Sequence, residues 1–178
     1  MIRHLGNEHN FLNNVNGIEF NSMFNGLKYY QVCAPGLPPC LGHDIFGGVG
    51  DYDVAMILKH PINVKGWFTY AELNQRINMF NYAGADASSK PCQVNVAGNK
   101  LGGQATQNWC LIRLLPVIIS DVIKSDDPVW QLFLLLHDIA EMASAPKIKD
   151  SDIAYLAVVI NEYLLDRLSC FPNEKPKP

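Results

Sequence analysis

The sequence predicts a mainly α-helical protein that folds as a helical bundle. Hydrophobic residues make up 48% of the 178 residues, which is enough to bury a sizeable core. In the second half of the chain, apolar residues recur three or four positions apart, the spacing of one helical face. Residues 27–32 have the aromatic and β-branched composition of a short strand. We therefore expect a helical bundle with one residual strand.

Composition divides the chain into three parts. Residues 1–35 are rich in Asn, whose side chain competes for backbone hydrogen bonds, so we expect an irregular N-terminal segment. Residues 36–172 form the expected helical domain, and residues 173–178 a disordered tail. Five scattered cysteines without a Cys-x-x-Cys pair indicate reduced thiols, with Cys110 buried on an apolar helical stretch.

The first predicted helix runs from about residue 43 to residue 59 and stops before Pro61. Glycines at positions 47, 48 and 50 weaken it, and they indicate either a close backbone approach or a decayed helix. The second helix starts at Thr69, which forms a capping box with Glu72. A polar loop of residues 81–102 follows, and a loop of that length is usually functional or mobile.

Three longer helices complete the domain. The first covers about residues 104–124, with Pro116 expected to kink it. The second starts at the N-cap Asp127, with Pro128 in its first turn, and ends near residue 143. The third runs from about residue 150 to residue 170. Its predicted inward-facing residues are Ile153, Leu156, Val159, Ile160, Tyr163 and Leu164.

His43 and Asp44 are the first candidate site. They follow a turn built on Pro38 and Pro39 and lie at the start of the first helix. A carboxylate in that position is a suitable ligand for Mg²⁺, so Asp44 is the candidate metal-binding and catalytic residue, with His43 in a supporting role. The alternative is that Asp44 simply caps the helix.

An alternative metal site is predicted at His137, Asp138 and Glu141. His137 and Glu141 are four residues apart, which places them on one face of a helix. The Leu-His-Asp-Ile-Ala segment resembles the His-Asp motif of helical metal-dependent phosphohydrolases. That family also needs an upstream histidine and a downstream aspartate at suitable distances. His60 lies far upstream, and the candidates for the aspartate are Asp150, Asp152 and Asp166. The alternative is an exposed polar helix face.

Charge and hydropathy exclude several classes of protein. The formal net charge of −3 gives no basic surplus, which makes direct DNA binding doubtful. The N-terminus has no apolar stretch of the kind that forms a signal peptide. The apolar runs, such as residues 132–136, are far shorter than the roughly 20 residues that cross a bilayer. We expect a nuclear or cytoplasmic protein, neither secreted nor in a membrane.

Five short sequence segments, which occur in this order along the chain, resemble one protein family. They are LKYY at residues 27–30, GLPPCLGHD at 36–44, KGWFTY at 65–70, QNWC at 107–110 and DDPVWQL at 126–132. Together they are similar to transposon-derived proteins of animal genomes, which are domesticated or decaying cut-and-paste transposases. The resemblance covers nearly the whole chain from about residue 20 onward.

The resemblance implies an RNase H-like core in which three acidic residues (the DDE set) bind two Mg²⁺ ions for DNA cleavage and strand transfer. Asp44 would match the second acid, and residues 69–170 would be the helical insertion that precedes the third. In the family, the segment that corresponds to residues 36–44 is followed by a glutamate at the position of Gly47. We expect the first and third acids to be missing, and too few strands to build the sheet.

The sequence therefore predicts a fragment of a transposase-derived protein that is catalytically inactive alone, with Mg²⁺ or no cofactor. DNA is the partner of the parent family. One alternative is a non-catalytic helical module that binds a protein partner or self-associates through exposed apolar faces. The other is a helical phosphohydrolase that uses His137 and Asp138.

Overall fold

The computed structural model describes residues 40–95 and 98–174, which form a helical domain without a strand. The predicted helical fold is thus confirmed for this part. The strand at 27–32 and the N-terminal part at 1–35 lie outside the described residues. The elements are a π-helix at Gly42–Val49, α1 at Gly50–Lys59, a second π-helix at His60–Val64, α2 at Tyr70–Met79, a 3₁₀-helix at Gly84–Ser88, α3 at Ala105–Ile119, α4 at Pro128–Ser144 and α5 at Asp150–Cys170.

Helix α1 lies at the centre of the domain. It packs against the first π-helix, α3 and α4, and the side chains of Val54, Ile57 and Leu58 are at most 1% exposed. Helix α2 packs on α3, α3 on α4, and α4 on α5. Seven of its ten residues are buried, so α1 forms the axis of the hydrophobic core.

The predicted first helix is a π-helix that continues into α1. Gly48 has non-helical dihedral angles (φ −104°, ψ −109°), and a Cβ there would lie 2.7 Å from the His43 carbonyl oxygen. A Cβ at Gly50 would lie 2.8 Å from Cδ1 of Ile112 on α3. The glycine at position 50 therefore allows α1 and α3 to approach closely, which supports the first of the two interpretations of these glycines.

The two predicted helix caps are both present. The Thr69 hydroxyl accepts from the Glu72 backbone N–H at 3.2 Å, and the Glu72 carboxylate accepts from the Thr69 N–H at 2.6 Å. At the start of α4, the Asp127 carboxylate accepts from the backbone N–H groups of Val129 and Trp130, at 2.9 and 3.2 Å. These bonds satisfy donors that the first turn of a helix leaves unpaired.

The long segment between α2 and α3 is attached to the core. The Asn74 side chain donates to the Val94 carbonyl and accepts from the Val94 N–H, at 3.1 and 2.8 Å. The Leu101 N–H donates to the Asp51 carbonyl at 3.0 Å.

Helix α3 ends at Ile119, earlier than predicted, and the chain continues as a turn in which the Ile123 N–H still donates to the Ile119 carbonyl.

The bounds of α5 agree with the prediction, but its inward-facing residues only partly do. Val159 and Tyr163 are buried, and Leu156 packs against the core. In contrast, Ile153, Ile160 and Leu164 are 53%, 38% and 46% exposed, so their predicted burial was wrong. Apolar residues occur on nearly every side of α5, and their spacing alone does not determine which side faces the core.

A buried polar cluster joins α5 to α1. The Arg167 guanidinium donates to both carboxylate oxygens of Asp53, at 2.7 and 2.9 Å, and the Tyr163 hydroxyl donates to the same carboxylate. Both charged side chains are almost fully buried. Burial and the nearby Asp53 charge raise the pKa of Tyr163, so the phenol remains a hydrogen-bond donor.

We predict that Arg167→Ala lowers the free energy of unfolding by about 3–5 kcal/mol, because it leaves the Asp53 carboxylate buried without its cation. Urea unfolding followed by circular dichroism measures this change. The control is Asp121→Ala, which removes the ion pair between this mostly exposed aspartate and Arg76. An exposed pair contributes about 0–1 kcal/mol, so equal losses in the two variants would contradict the prediction.

Candidate functional site

His43 and Asp44 lie at the start of the first π-helix, as predicted, and both are exposed. The Asp44 carboxylate accepts a hydrogen bond from the Cys40 backbone N–H at 2.7 Å, and the Asp44 N–H donates to the Cys40 carbonyl at 2.7 Å. The carboxylate thus turns back on the residue that precedes the helix, in the manner of a capping side chain.

His43 faces the Cys40 thiol. Its Nδ1 atom lies 3.0 Å from Cys40 Sγ, and Cys40 is exposed. The hydrogen bond with His43 lowers the pKa of the Cys40 thiol, and the same contact raises the pKa of His43. Asp44 also raises the pKa of His43 through its charge. The sequence reasoning did not pair Cys40 with His43, although their three-residue spacing is compatible with a helical turn.

The side chains around Asp44 suit a Mg²⁺ ion poorly. Mg²⁺ prefers several oxygen ligands, whereas the described neighbours of the Asp44 carboxylate offer a backbone N–H and an imidazole. Within the described ranges, no group of three or more His, Cys, Asp or Glu side chains is arranged to bind a metal. A magnesium ion at Asp44 therefore stays a prediction from the sequence, and we derive no reaction step from it.

The alternative site on α4 has two of its residues in contact. His137 Nδ1 lies 3.2 Å from an Asp138 carboxylate oxygen, and Glu141 is exposed one turn further on. The candidate upstream histidine, His60, instead lies 3.2 Å from Asp127 at the N-terminus of α4. Ten residues of helix separate Asp127 from His137, or about 15 Å along the axis. The structure therefore does not bring His60 and His137 together.

Asp127 joins the second π-helix to α4. Besides capping α4, its carboxylate contacts His60 Nε2 at 3.2 Å and Lys65 Nζ at 3.9 Å. Partial burial alone would raise the pKa of Asp127, but the hydrogen bonds from His60 and from the α4 backbone lower it overall. Asp127 therefore holds the second π-helix against the start of α4. The sequence predicted only its contact with α4, as the N-cap.

Helix α5 carries a broad apolar surface that the rest of the described domain does not cover. Each large apolar side chain of this surface is at least 38% exposed. We call this surface the α5 outer face; it consists of Ile153, Val158, Ile160, Leu164, Leu165 and Leu168. Contiguous apolar patches of this kind on a protein surface usually mark an interaction site.

The charges next to the α5 outer face are acidic. Glu162 and Asp166 are exposed and one helical turn apart, and Glu162 follows Val158 by four residues and precedes Leu165 by three. They therefore form one edge of the outer face. The basic residue of α5, Arg167, is buried against Asp53 and does not balance them.

No protein-family model, curated protein or solved structure matches the chain. In the part of the chain that the structure describes, no helix is both long and apolar enough to cross a membrane.

We predict that Asp127→Asn makes the free energy of unfolding depend less on pH in the acidic range. A folded-state pKa below the ordinary value of 3.8 stabilises the fold above that pH, and the contribution is lost as the pH falls through the folded-state pKa. The variant should be about 1 kcal/mol less stable than wild type at pH 5, and the difference should shrink as the pH falls through the folded-state pKa of Asp127.

Urea midpoints measured across this pH range test the prediction. Asp126→Asn is the matched control, because Asp126 is adjacent but exposed. If the Asp127→Asn and Asp126→Asn curves coincide, Asp127 contributes no stability through its charge.

Proposed function

We propose that this protein is a helical protein-interaction module and that it binds its partner through the α5 outer face. The observation that carries the proposal is the exposure of six large apolar side chains on one side of α5. Burying a Leu, Ile or Val side chain contributes roughly 1.5–3 kcal/mol, so covering this face is a strong driving force for association.

The chemistry of the face favours a basic amphipathic helix as the partner. A helix with apolar residues at three- and four-residue spacing matches the length and shape of the face. Lys or Arg along one edge of that helix would pair with Glu162 and Asp166. A second copy of α5 fits less well, because antiparallel pairing about a two-fold axis brings the two acidic edges together.

Two synthetic helical peptides of the same length as α5 test this proposal. They share one leucine pattern, and one carries Lys at its polar positions while the other carries Glu. We predict that the full-length protein binds the Lys peptide more tightly than the Glu peptide in calorimetric titrations. The double variant Leu164→Gln, Leu165→Gln should weaken Lys-peptide binding at least about tenfold, because two apolar contacts are lost.

The control variant is Met79→Gln, which replaces an apolar residue on α2 that is even more exposed than Leu164 and Leu165. It should bind the Lys peptide like wild type, and circular dichroism should show all variants to be folded. Binding of neither peptide, or equal binding by all variants, would contradict the proposal. If light scattering instead shows a dimer that the double variant converts to monomers, the partner is a second copy of the chain.

A transposase origin is a second proposal. It is supported by the five sequence segments given above and by the exposure of Asp44 at the start of a helix. The module would then descend from the helical insertion of an RNase H-like enzyme, and its parent chemistry would be Mg²⁺-dependent DNA cleavage and strand transfer. The interaction function does not require this origin, since α5 is remote from Asp44 in sequence.

A Mg²⁺ titration tests whether a metal site of the transposase kind survives at Asp44. We predict no stoichiometric Mg²⁺ binding that depends on the Asp44 carboxylate, because its described neighbours offer a backbone N–H and an imidazole in place of oxygen ligands. Calorimetry on wild type and Asp44→Ala measures this, with the exposed Asp126→Ala as the control for weak surface binding. Binding that only Asp44→Ala removes would favour a surviving transposase metal site.

A further inference from the structure

Asn161 is a polar side chain in the middle of the α5 outer face. It is exposed, and it lies two residues from each of the buried residues Val159 and Tyr163. Two residues turn the direction of a helix by about 200°, so Asn161 points almost directly away from the core. Because the contact between Arg167 and Asp53 fixes this rotation of α5, Asn161 lies at the centre of the exposed side.

Every close neighbour of Asn161 on the surface of α5 is apolar. The neighbours of a residue on a helix surface are those three, four and seven positions away. For Asn161 these are Ala154, Ala157, Val158, Leu164, Leu165 and Leu168. A partner helix that covers the α5 outer face would therefore bury this carboxamide among apolar side chains.

We propose that Asn161 selects the register of the partner helix, and that the partner places the carboxamide of an Asn or Gln opposite it. The proposal rests on the interaction function proposed above. It adds a feature of the partner that the apolar and acidic parts of the face do not specify.

The hydrogen-bonding groups of the Asn161 side chain give the physical reason. They are a carbonyl oxygen that accepts and an amide group with two N–H donors. An apolar partner residue would remove these groups from water without replacing the hydrogen bonds, which weakens binding. A second carboxamide can donate one N–H to the Asn161 oxygen and accept one from its nitrogen. An asparagine in the apolar seam between two helices fixes their register in this way.

The other groups of the α5 outer face leave more than one register open. Glu162 and Asp166 are four residues apart, so a partner shifted by one helical turn would still pair a lysine with an acidic side chain. Leu164 and Leu168 are also four residues apart, and the same shift would still bury them. Asn161 is the asparagine of α5, so a shift of one turn would separate it from its counterpart.

An asparagine scan of the Lys peptide tests the proposal. Each peptide of the series carries Asn in place of one leucine of the pattern, and calorimetric titration of the full-length protein measures its affinity. We expect Asn at one central position to bind wild type at least as tightly as the parent peptide does. At the other positions Asn should weaken binding about tenfold, because it is buried without a counterpart.

Two substitutions of Asn161 separate its role from that of the whole face. Asn161→Leu should bind the parent peptide about tenfold more tightly than wild type does, and the favoured Asn peptide should lose its advantage. Asn161→Ala should also remove this advantage without adding a large apolar group that promotes self-association. The control is Asn81→Leu, which places a leucine at an exposed position outside α5 and should keep the wild-type preference.

The outcomes distinguish this proposal from the one on which it rests. If no peptide of the series binds, both proposals are overturned. If the parent peptide binds but Asn weakens binding to wild type at every position, the α5 outer face is an interaction site in which Asn161 does not select the register. A preference that persists in Asn161→Ala would lead to the same conclusion.

Discussion

The buried contact between Asp53 and Arg167 determines how α5 is oriented in this domain. Helix α5 is apolar on nearly every side, so several rotations about its axis would bury a similar apolar area against α4. Only one rotation places the Arg167 guanidinium and the Tyr163 hydroxyl on the Asp53 carboxylate. A rotation that separated them would leave a buried charge without its partner, which costs several kcal/mol. The exposure of the α5 outer face follows from this constraint.

The two buried aspartates of α1 connect it to different parts of the domain. Asp53 binds α5, whereas Asp51 accepts from the Gly102 N–H at 3.1 Å and from the Asn108 side chain at 3.2 Å. Two residues along a helix turn its direction by about 200°, so the two carboxylates point to opposite sides of α1. Helix α1 thereby fixes both the long segment before α3 and the last helix, although neither is its neighbour in sequence.

Local signals predicted the helix ends well. Thr69 with Glu72, and Asp127 with Pro128, are capping patterns whose partners lie within three residues, and both form as predicted. The bounds of α5 were also predictable, because its apolar run is bordered by a charged loop and a proline-containing tail. These features depend on short-range chemistry, which a single sequence contains.

Long-range contacts explain what the sequence did not predict. Asp53 and Arg167 are 114 residues apart, and each alone resembles an ordinary surface charge. Without that pair, the apolar pattern of α5 gave a wrong inward side for Ile153, Ile160 and Leu164. The Cys40–His43 contact depends on a turn whose backbone geometry no spacing rule specifies. For the same reason, Asp44 was predicted as a metal ligand or cap without knowledge that its carboxylate accepts from the Cys40 N–H.

The contact between Cys40 and His43 is positioned by residues of the core. The Asn108 side chain, which is buried, donates to the Phe46 carbonyl at 2.9 Å as well as to Asp51. Phe46 is itself buried and packs near Trp109, with ring centroids 6.2 Å apart. The π-helix that begins beside Cys40 is therefore attached to α3 by a hydrogen bond and an aromatic contact. Because these contacts fix the helix, they also orient its first turn, which supplies His43 to the exposed thiol.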